Sequence, residues 1–276
     1  MITNKKKPIF LAIVSGKGGS GKTTIALSLA VLISRCKLRV LLFDCDFVTN
    51  GCTYFFEKHF KDQSNKFCTT EDYIYESNDT LYSDYKECKQ AFYPVNSYFG
   101  LVPSILRVAR GYSPRTGNFS IDRLKQLVEE SSTDIVIFDC QAGYSATTKF
   151  FLKNSSINLV VMEADAISVS ATRVLLSKMP YCFNSKTTYQ IMNKVSKEEY
   201  DVYASIKAGF IFPNVATIMF EWSIRECFTL NKLPIIGERN LAFSANLCDL
   251  ACVLFPIYNT MFLAAKEELL LGKRHS

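Results

Sequence analysis

The chain has 276 residues, of which 48% are hydrophobic, and a formal net charge of +6 at pH 7. This composition excludes an intrinsically disordered protein and favours a globular one. The length suits one α/β domain with an extensive core, and we expect a single domain over residues 1–276. The positive charges are spread along the chain, so they are compatible with DNA or an anionic membrane as a partner but demand neither.

Cysteine usage and the N-terminal segment indicate the compartment. The chain has ten cysteines without a C-x-x-C pair and only two histidines, so we expect no zinc site. Cys45 and Cys140 lie in apolar strand patterns beside acidic residues, which is typical of small buried side chains in a reducing cytosol. The segment Met1–Pro8 is polar, and the apolar run after it is too short for a secretory signal. No apolar run approaches the ~20 residues of a membrane span, so we expect a cytoplasmic protein.

The first strong pattern is a glycine-rich turn between a strand and a helix. The apolar run Ile9–Val14 predicts a buried strand, and the spacing of Ile25–Ile33 predicts a helix. Between them, Gly16–Thr23 fits the phosphate-binding pattern G-x-x-x-x-G-K-[ST], which requires this context. Glycines let backbone N–H groups approach a polyphosphate closely, and the helix N-terminus adds the positive end of its dipole. The sequence therefore predicts a nucleotide site at this turn.

Individual side chains of the turn have expected roles. Lys22 supplies a cation for the β- and γ-phosphates, and Thr23 supplies a hydroxyl for Mg²⁺. The candidate cofactor-binding residues of the turn are Gly16, Lys17, Gly18, Gly19, Ser20, Gly21, Lys22, Thr23 and Thr24.

A second lysine inside the turn indicates one particular group of phosphate-loop proteins. Lys17 opens the string Lys-Gly-Gly-Ser-Gly-Lys-Thr, which resembles the deviant phosphate loop of the ParA/MinD ATPases. The resemblance implies an α/β P-loop NTPase fold, with a doubly wound, mainly parallel β-sheet and helices on both faces. It also implies that Lys17 reaches across a homodimer interface to the nucleotide of the partner subunit, so we expect dimerisation on ATP binding. The alternative is a solvated lysine on an ordinary phosphate loop.

Acidic residues end two of the later predicted strands. Asp44 and Asp46 follow the apolar run from Leu38, and Asp139 ends Thr133–Asp139; the carboxyl edge of a parallel sheet is where ligands bind. The resemblance implies that Asp44 helps to organise the Mg²⁺ shell, that Asp46 orients the attacking water, and that Asp139 is the Walker B carboxylate. A pair of ordinary capping or edge aspartates at 44 and 46 stays open. The candidate metal residues are Thr23, Asp44 and Asp139, and the catalytic candidates are Lys17, Lys22 and Asp46.

Two later segments suggest contacts to adenine. Asn193 lies near the end of the predicted strand Tyr189–Val195, and its amide offers both a donor and an acceptor for the base edge. An edge asparagine in a turn is the alternative. The run Ala208–Asn214 is interpreted as a strand followed by a turn. In the family a proline-centred loop flanks the base, which assigns this role to Pro213.

The second switch and the segment 47–98 fit the family less well. Gly143 resembles the switch glycine that brings an N–H to the γ-phosphate. Gln141, two residues earlier, stands where the family usually has proline. Ala164, between Glu163 and Asp165, also replaces a proline that is usual in the family. Segment 47–98 is rich in aromatic residues, which we interpret as local core in preference to an interaction surface. The helices expected there are Thr53–Phe60, Thr70–Tyr75 and Tyr82–Phe92.

The remaining pattern alternates strands and helices up to the C-terminus. Further strands are predicted at Gly100–Pro103 and Ile157–Met162. Further helices are predicted at Ser120–Glu130, Ala166–Met179, Glu221–Leu230, Phe243–Leu254 and Pro256–Leu271.

The sequence supports a slow Mg²⁺-dependent ATPase that acts as a switch. Its cofactors are ATP and Mg²⁺, and by resemblance an activating partner protein and a ParA-like cargo, DNA or a macromolecular complex, are expected. Three alternatives stay open: MinD-like positioning at a membrane or partner protein, a signalling protein with a structural nucleotide, and a metabolic enzyme on the same loop. A membrane-binding tail is less favoured, because the apolar end of the last helix is short. The candidates for contacts with DNA phosphates are Arg107, Arg110, Arg115, Lys266, Lys273 and Arg274.

Overall fold

The computed structural model describes residues 7–60, 67–75, 90–104, 118–196, 212–233 and 241–272. Within these ranges the chain forms a sheet of eight strands in the order β3-β4-β2-β5-β1-β6-β7-β8. Neighbouring strands are parallel except β3 and β4, which pair antiparallel at one edge. The strands are β1 (Ile9–Val14), β2 (Val40–Cys45), β3 (Tyr93–Asn96), β4 (Phe99–Val102), β5 (Ile135–Cys140), β6 (Ile157–Glu163), β7 (Thr188–Val195) and β8 (Asn214–Met219).

Helices cover both faces of the sheet. The described helices are α1 (Lys22–Arg35), α2 (Gly51–Phe55), α3 (Glu57–Phe60), α4 (Thr70–Ile74), α5 (Asp122–Glu130), α6 (Ala146–Lys153), α7 (Ala166–Lys178), α8 (Trp222–Thr229), α9 (Leu241–Leu254) and α10 (Asn259–Gly272). Helices α1 and α9 pack on one face, and α5, α6 and α7 pack on the other. None of the described helices is by itself long and apolar enough to cross a membrane; α9 and the segment 256–271 meet that length and composition only when joined, and they are bent by 116°.

The central strands are apolar throughout because both of their faces are covered. In β1, Leu11 and Ile13 belong to the core layer under α1, whereas Ala12 and Val14 belong to the layer under α7. A parallel strand buried on two sides lacks the polar alternation of a half-exposed strand. This burial holds the carboxyl ends of β1, β2, β5 and β6 side by side, and the loops that follow them form one continuous edge.

Aromatic packing stabilises the layer under α5, α6 and α7. Phe138 on β5 is fully buried. Its ring centroid lies 4.8 Å from that of Phe151, 5.6 Å from that of Phe43 and 6.1 Å from that of Phe10. Phe138 also directly precedes Asp139, so the same packing fixes the strand end that carries this carboxylate.

The mainly parallel, doubly wound sheet confirms the predicted fold class, and most element bounds agree within two or three residues. The expected helix Thr53–Phe60 is instead two short helices, α2 and α3. The edge strand β3 and helix α6 were not predicted. Most of the expected helix Tyr82–Phe92 lies outside the described residues.

The position of β8 corrects the prediction for Pro213. The strand begins after this proline, at Asn214, and residues 208–211 lie outside the described ranges. Pro213 therefore precedes β8 and lies beside the start of β7, where its carbonyl oxygen accepts a hydrogen bond from the Gln190 N–H at 3.0 Å. That is the amino edge of the sheet, opposite to the glycine-rich turn.

Truncation of the aromatic cluster tests this account of the core. We expect Phe138→Ala to lower the free energy of unfolding by about 3–5 kcal/mol, because it removes a fully buried ring and leaves a cavity. Urea unfolding monitored by circular dichroism measures this loss. Tyr181→Ala is the control, since Tyr181 is 96% exposed and its loss should change stability by less than about 0.5 kcal/mol. Equal effects of the two substitutions would contradict the assigned packing.

Candidate nucleotide site

The glycine-rich turn after β1 is closely surrounded by other elements. A Cβ on Gly16 would lie 2.2 Å from the backbone carbon of Ala171 on α7, so only glycine fits against this helix. Gly21 has a φ of 93°, in the left-handed region that favours glycine, and a Cβ there would lie 2.2 Å from Nδ2 of Asn193. Both glycines thus let a neighbouring residue, Ala171 or Asn193, lie directly against the turn. The turn leads directly into α1 at Lys22.

Thr23 and Asp139 meet at the start of α1. The Thr23 hydroxyl donates to Oδ2 of Asp139 at 2.7 Å, and the Cys52 thiol donates to the same oxygen at 3.3 Å. The other oxygen, Oδ1, is buried and has no hydrogen-bond partner within the described ranges. Burial raises the pKa of Asp139, while nearby Lys22 acts in the opposite direction. The carboxylate is therefore only half satisfied by the protein.

Asp44 lies directly beside Asp139 but in a different environment. The two residues are register partners on β2 and β5. Oδ2 of Asp44 accepts hydrogen bonds from the Thr53 N–H at 2.8 Å and the Thr53 hydroxyl at 2.7 Å, and Oδ1 accepts from the Asp46 N–H at 3.2 Å. Burial and the neighbouring charge of Asp139 raise the pKa of Asp44 well above its usual range, despite these donors. Asp44 thus positions α2 and the turn after β2.

Asp46 organises the turn between β2 and α2. Its Oδ1 accepts the N–H groups of Val48 and Thr49 at 3.1 and 3.0 Å, and its Oδ2 accepts the Thr49 hydroxyl at 2.7 Å. Residues that follow an aspartate and bond back to its side chain form a compact turn. In this structure the carboxylate of Asp46 fixes its own loop, at the same edge as Asp44 and Asp139.

Lys17 forms ion pairs with acidic residues at the end of β6. Its Nζ lies 3.1 Å from Oε2 of Glu163 and 3.3 Å from Oδ2 of Asp165. The pKa of Lys17 is raised by the hydrogen bonds to these two carboxylates. Glu163 also pairs with Lys194, whose Nζ lies 2.8 Å from Oε1 and additionally donates to the carbonyl oxygen of Gly19. The turn is thereby tied to the ends of β6 and β7.

Asn193 reaches the turn from the end of β7. Its Nδ2 donates to the carbonyl oxygen of Ser20 at 2.9 Å, and its side chain is almost fully buried. An amide NH₂ has two hydrogens, so this bond leaves one hydrogen and the amide oxygen for another partner. The structure therefore brings Asn193 to the predicted site, whereas it places Pro213 at the other end of the sheet.

Two aromatic residues follow β8 at the carboxyl edge, where Pro213 was expected. The Phe220 N–H donates to the carbonyl oxygen of Val195 at 3.0 Å, so the chain leaves β8 beside the end of β7. Phe220 and Trp222 are exposed, with ring centroids 6.3 Å apart, and the Arg225 guanidinium lies 5.2 Å from the centroid of the Trp222 ring. Trp222 is the only tryptophan of the chain, which makes this edge accessible to fluorescence.

The predicted second switch contacts the turn through its backbone. The Gly143 N–H, expected to meet the γ-phosphate, donates to the carbonyl oxygen of Ser15 at 2.8 Å. The Gln141 carbonyl oxygen accepts a hydrogen bond from the Thr148 hydroxyl on α6 at 3.4 Å. The loop that contains Gln141 and Gly143 is therefore held by α6 and by Ser15, the residue before the turn.

The cysteines near the site are not activated nucleophiles. Cys45, Cys52 and Cys140 are fully or almost fully buried, and burial together with the adjacent carboxylates raises the pKa of each thiol well above its usual range. A thiol of raised pKa stays protonated at neutral pH and is a poor nucleophile. These side chains act as small packing groups around the acidic strand ends.

The donor set suits a nucleotide with Mg²⁺. Oδ1 of Asp139 and Oγ of Ser20 are both buried without a hydrogen-bond partner in the described part of the chain, and both lie at or beside the turn. Among the described residues, no group of three or more His, Cys, Asp and Glu side chains is arranged to hold a metal. Mg²⁺ in nucleotide sites keeps several waters and is bound through one or two carboxylates plus phosphate oxygens, so Thr23 and Asp139 fit its needs.

The family model described as the CobQ/CobB/MinD/ParA nucleotide binding domain matches residues 11–219. The chain belongs to this family. The match spans all eight strands except the first two residues of β1, and it ends before α8. It therefore includes the turn, Asp44, Asp46, Asp139, Glu163 and Asn193, but not Phe220 and Trp222. The resemblance to ParA/MinD proteins inferred from the turn is thereby confirmed.

Solved structures show the same fold. A Borrelia burgdorferi B31 protein described as a plasmid partition protein and bound to AMPPNP superposes with a TM-score of 0.65 at 21% identity, over 88% of this chain and 98% of that one. MinD cell division protein from Aquifex aeolicus gives 0.63 at 17% identity, over 90% and 97%. Septum site-determining protein MinD from Pyrococcus horikoshii OT3, complexed with Mg-ADP, gives 0.60 at 17% identity, over 92% and 99%.

One curated protein matches a short segment. Over 39 residues, 14% of this chain, the sequence is 49% identical to the iron-sulfur cluster carrier protein of Bacillus subtilis strain 168. The matched segment is 11% of the Bacillus protein's length. This similarity supports the family and says nothing about the activity of the whole chain.

Sequence reasoning missed several residues of the site. The role of Thr53 as donor to Asp44, the position of Cys52 against Asp139, and the aromatic pair after β8 have no motif that reveals them. Glu163 does carry a signal, because it ends a buried parallel strand and such ends share one edge. Its two lysine partners depend on side-chain geometry that the pattern does not encode.

A charge-neutral variant tests the electrostatics of the site in the ligand-free chain. Asp139 has a pKa raised above its usual 3.8. The folded state therefore binds the proton more tightly than the unfolded state, and stability falls as the pH rises from 3.8 through the native pKa. Asp139→Asn keeps an oxygen that can accept from Thr23 and Cys52, but it has no carboxyl group to ionise. The variant therefore does not lose stability as the pH rises. We expect its Tm at pH 7 in EDTA to rise by about 2–4 °C, the shift per 1 kcal/mol in a domain of this size.

The pH dependence is the decisive part of this measurement. The gain in Tm should shrink as the pH is lowered to 3.8 and below, because Asp139 then becomes protonated in the unfolded state as well as in the folded state. Asp249→Asn is the control, since Asp249 is exposed and carries the same change in charge. A gain that is independent of pH, or one that Asp249→Asn reproduces, would contradict the assigned environment of Asp139.

Proposed function

We propose that this protein is a cytoplasmic ATPase that acts as a switch: it binds Mg·ATP, dimerises in the ATP state, hydrolyses ATP slowly and positions or partitions a macromolecular cargo. Membership of the nucleotide-binding family supports nucleotide use. Fold neighbours bound to AMPPNP or Mg-ADP support the same cofactors here. The observation that carries the proposal is Lys17, a lysine of the phosphate turn whose side chain is 35% exposed at the ligand-binding edge.

The surface around Lys17 supports association with a second copy. Val48, Tyr144 and Ile167 are large apolar residues with exposed fractions of 54%, 54% and 70%. They follow β2, β5 and β6, so they share the carboxyl edge with Lys17. Large apolar side chains that are exposed together at one edge are a feature of interaction surfaces. A face-to-face dimer would cover these residues and enclose the two nucleotides.

The residues of the site divide the chemistry of hydrolysis between them. Thr23 and Asp139 would hold Mg²⁺, which when bound stabilises the negative charge of the β- and γ-phosphates. Lys22 and the backbone N–H groups of the turn neutralise the same oxygens. Asp46 orients the attacking water for in-line displacement. Because Asp46 also fixes its own turn, loss of the γ-phosphate is coupled to the conformation of residues 46–50 and so to partner binding.

Mass measurements with ATP and ADP test dimerisation. We expect light scattering with Mg·ATP to give twice the 31.2 kDa mass of one chain, and Mg·ADP to give the monomer. Asp46→Asn should retain the dimer and lower phosphate release by about 100-fold or more, because it keeps the bonds to the turn but removes the carboxylate that orients water. Lys17→Ala should bind ATP and stay monomeric. A monomer in ATP for both wild type and Asp46→Asn would reject the proposal.

Calorimetry separates nucleotide binding from dimerisation. Lys22→Ala removes the cation of the turn and should abolish measurable ATP binding, whereas Lys17→Ala should leave most of it. Bound ATP without any phosphate release in the wild type would favour the alternative of a structural nucleotide in a signalling protein.

For the cargo, we favour DNA or a DNA-bound complex, as in ParA-type partition. The support is the Borrelia neighbour described as a plasmid partition protein. Of the candidate phosphate contacts, only Lys266 lies in the described residues, and its Nζ pairs with Asp249 at 2.6 Å. The other candidates lie outside them.

MinD-like membrane positioning is the second candidate, and one observation favours it. Leu263, Leu270 and Leu271 on α10 are exposed in this structure. An exposed apolar helix face followed by basic residues is a feature of helices that bind membrane surfaces, and Lys273 and Arg274 follow α10 in the sequence.

Binding to immobilised DNA and sedimentation with liposomes distinguish a DNA partner from a membrane partner. We expect Asp46→Asn with ATP to be retained on non-specific double-stranded DNA at low salt, and retention to fall steeply with added salt through counterion release. The same sample should not sediment with anionic liposomes. ATP-dependent sedimentation that Leu270→Asp abolishes, without retention on DNA, would replace the first cargo by the second.

A further inference from the structure

The carboxylate of Glu163 is shared by two lysines that contact the phosphate turn. Its Oε2 lies 3.1 Å from Nζ of Lys17, and its Oε1 lies 2.8 Å from Nζ of Lys194. Lys194 also donates to the carbonyl oxygen of Gly19 inside the turn. Each oxygen of one side chain thus holds a different cation, and both cations meet the same loop.

The backbone of this cluster is held in an unusual conformation. Lys194 has a φ of 57°, in the left-handed region that costs energy for a residue with a side chain. Such a conformation persists only where surrounding contacts maintain it. The contacts of Lys194 to Glu163 and to Gly19 maintain this backbone conformation. The position of Glu163 is therefore part of the folded structure at the end of β7.

Asp165 adds a second carboxylate to Lys17 and is itself fixed. Its Oδ1 accepts the Ser168 N–H at 2.8 Å and caps α7, while its Oδ2 lies 3.3 Å from Nζ of Lys17. The Glu163 N–H in turn donates to the Ser168 hydroxyl at 2.9 Å. Lys17 therefore faces two acidic groups on one rigid junction between β6 and α7.

We propose that Glu163, assisted by Asp165, is a positioning residue that keeps Lys17 folded back on its own subunit and so opposes dimerisation until ATP is bound. This inference rests on the proposed function. A lysine held by two carboxylates of its own chain must leave them to reach the phosphates of a partner subunit. ATP, which carries more negative charge than ADP, competes better for that lysine. The cluster therefore raises the protein concentration at which ATP supports a dimer.

The direct test is the reactivity of Lys17 in the nucleotide-free chain. Glu163→Gln keeps the shape and one acceptor oxygen of the side chain but removes the negative charge that pairs with Lys17 and Lys194. We expect trace acetylation with acetic anhydride, read by mass spectrometry, to modify Lys17 several-fold faster in Glu163→Gln than in the wild type. Asp249→Asn is the matched control: it makes the same change in charge and breaks the Lys266–Asp249 pair, so Lys17 should react at the wild-type rate. Equal rates of Lys17 in all three proteins would overturn the inference.

The consequence is tested by light scattering over a range of protein concentrations with a non-hydrolysable ATP analogue. Exposed ion pairs contribute modestly and each dimer releases two lysines, so Glu163→Gln should form half of its dimer at a concentration about 3- to 10-fold lower than the wild type. Asp165→Asn keeps the oxygen that caps α7. It should also lower the protein concentration at which half of the chain is dimeric, but by a smaller factor than Glu163→Gln. Asp249→Asn should not change it.

The outcomes separate this inference from the function on which it rests. A wild-type dimer in ATP with an unchanged or higher half-point in Glu163→Gln overturns the positioning role alone. No dimer in any of the proteins overturns the proposed function and this inference with it, whatever the labelling shows. Faster labelling of Lys17 together with a lowered half-point supports both.

Discussion

The structure depends on a buried carboxylate pair at the ends of two adjacent parallel strands. Asp44 and Asp139 are register partners on β2 and β5, and both are fully buried. Charges at such positions disfavour the folded state unless they are compensated. Thr53 and the Asp46 N–H compensate Asp44, whereas one oxygen of Asp139 is left without a partner in the described residues. The turn after β1 brings Lys22 and Thr23 to the same carboxylate, so its free oxygen is suited to the cation that a magnesium nucleotide would provide.

How much of this follows from the sequence depends on the kind of signal. The strand–turn–helix pattern around Gly16–Thr23 predicted β1, the turn and α1, and the acid-terminated runs predicted that Asp44 and Asp139 meet, because parallel strand ends share an edge. The position of β8 did not follow. No strand was predicted at Asn214–Met219, because its pairing with β7 is a tertiary contact that the sequence pattern does not reveal. The misplaced Pro213 is a consequence of that error.

The ion pairs of Lys17 illustrate a second limit. Lys17 and Glu163 are separated by 146 residues, and they meet only because β1 and β6 are neighbours in the sheet. Sequence pattern places both residues at one edge but does not determine which lysine pairs with which acid. The extra lysine was interpreted as a group that reaches toward a second subunit. The structure shows that Glu163 and Asp165 of the same chain also bind this lysine. A contact between Lys17 and a second subunit would therefore have to replace these two ion pairs.

Four acidic residues at one edge of the sheet have different chemistry because their environments differ. Asp44 is buried and supplied with three donors, so it positions α2. Asp139 is buried and half satisfied, so it is the group best suited to hold a metal. Asp46 bonds to its own loop, so a change in what it contacts moves that loop. Glu163 is partly exposed and pairs with two lysines, so its interactions are the weakest of the four and the easiest to exchange. In the proposed dimer, the nucleotide of one subunit would engage Asp139 of that subunit, whereas Lys17 of the other subunit would have to leave Glu163 to reach it. The half-satisfied carboxylate and the exchangeable ion pair would then both respond to bound ATP, which is what the proposed switch requires.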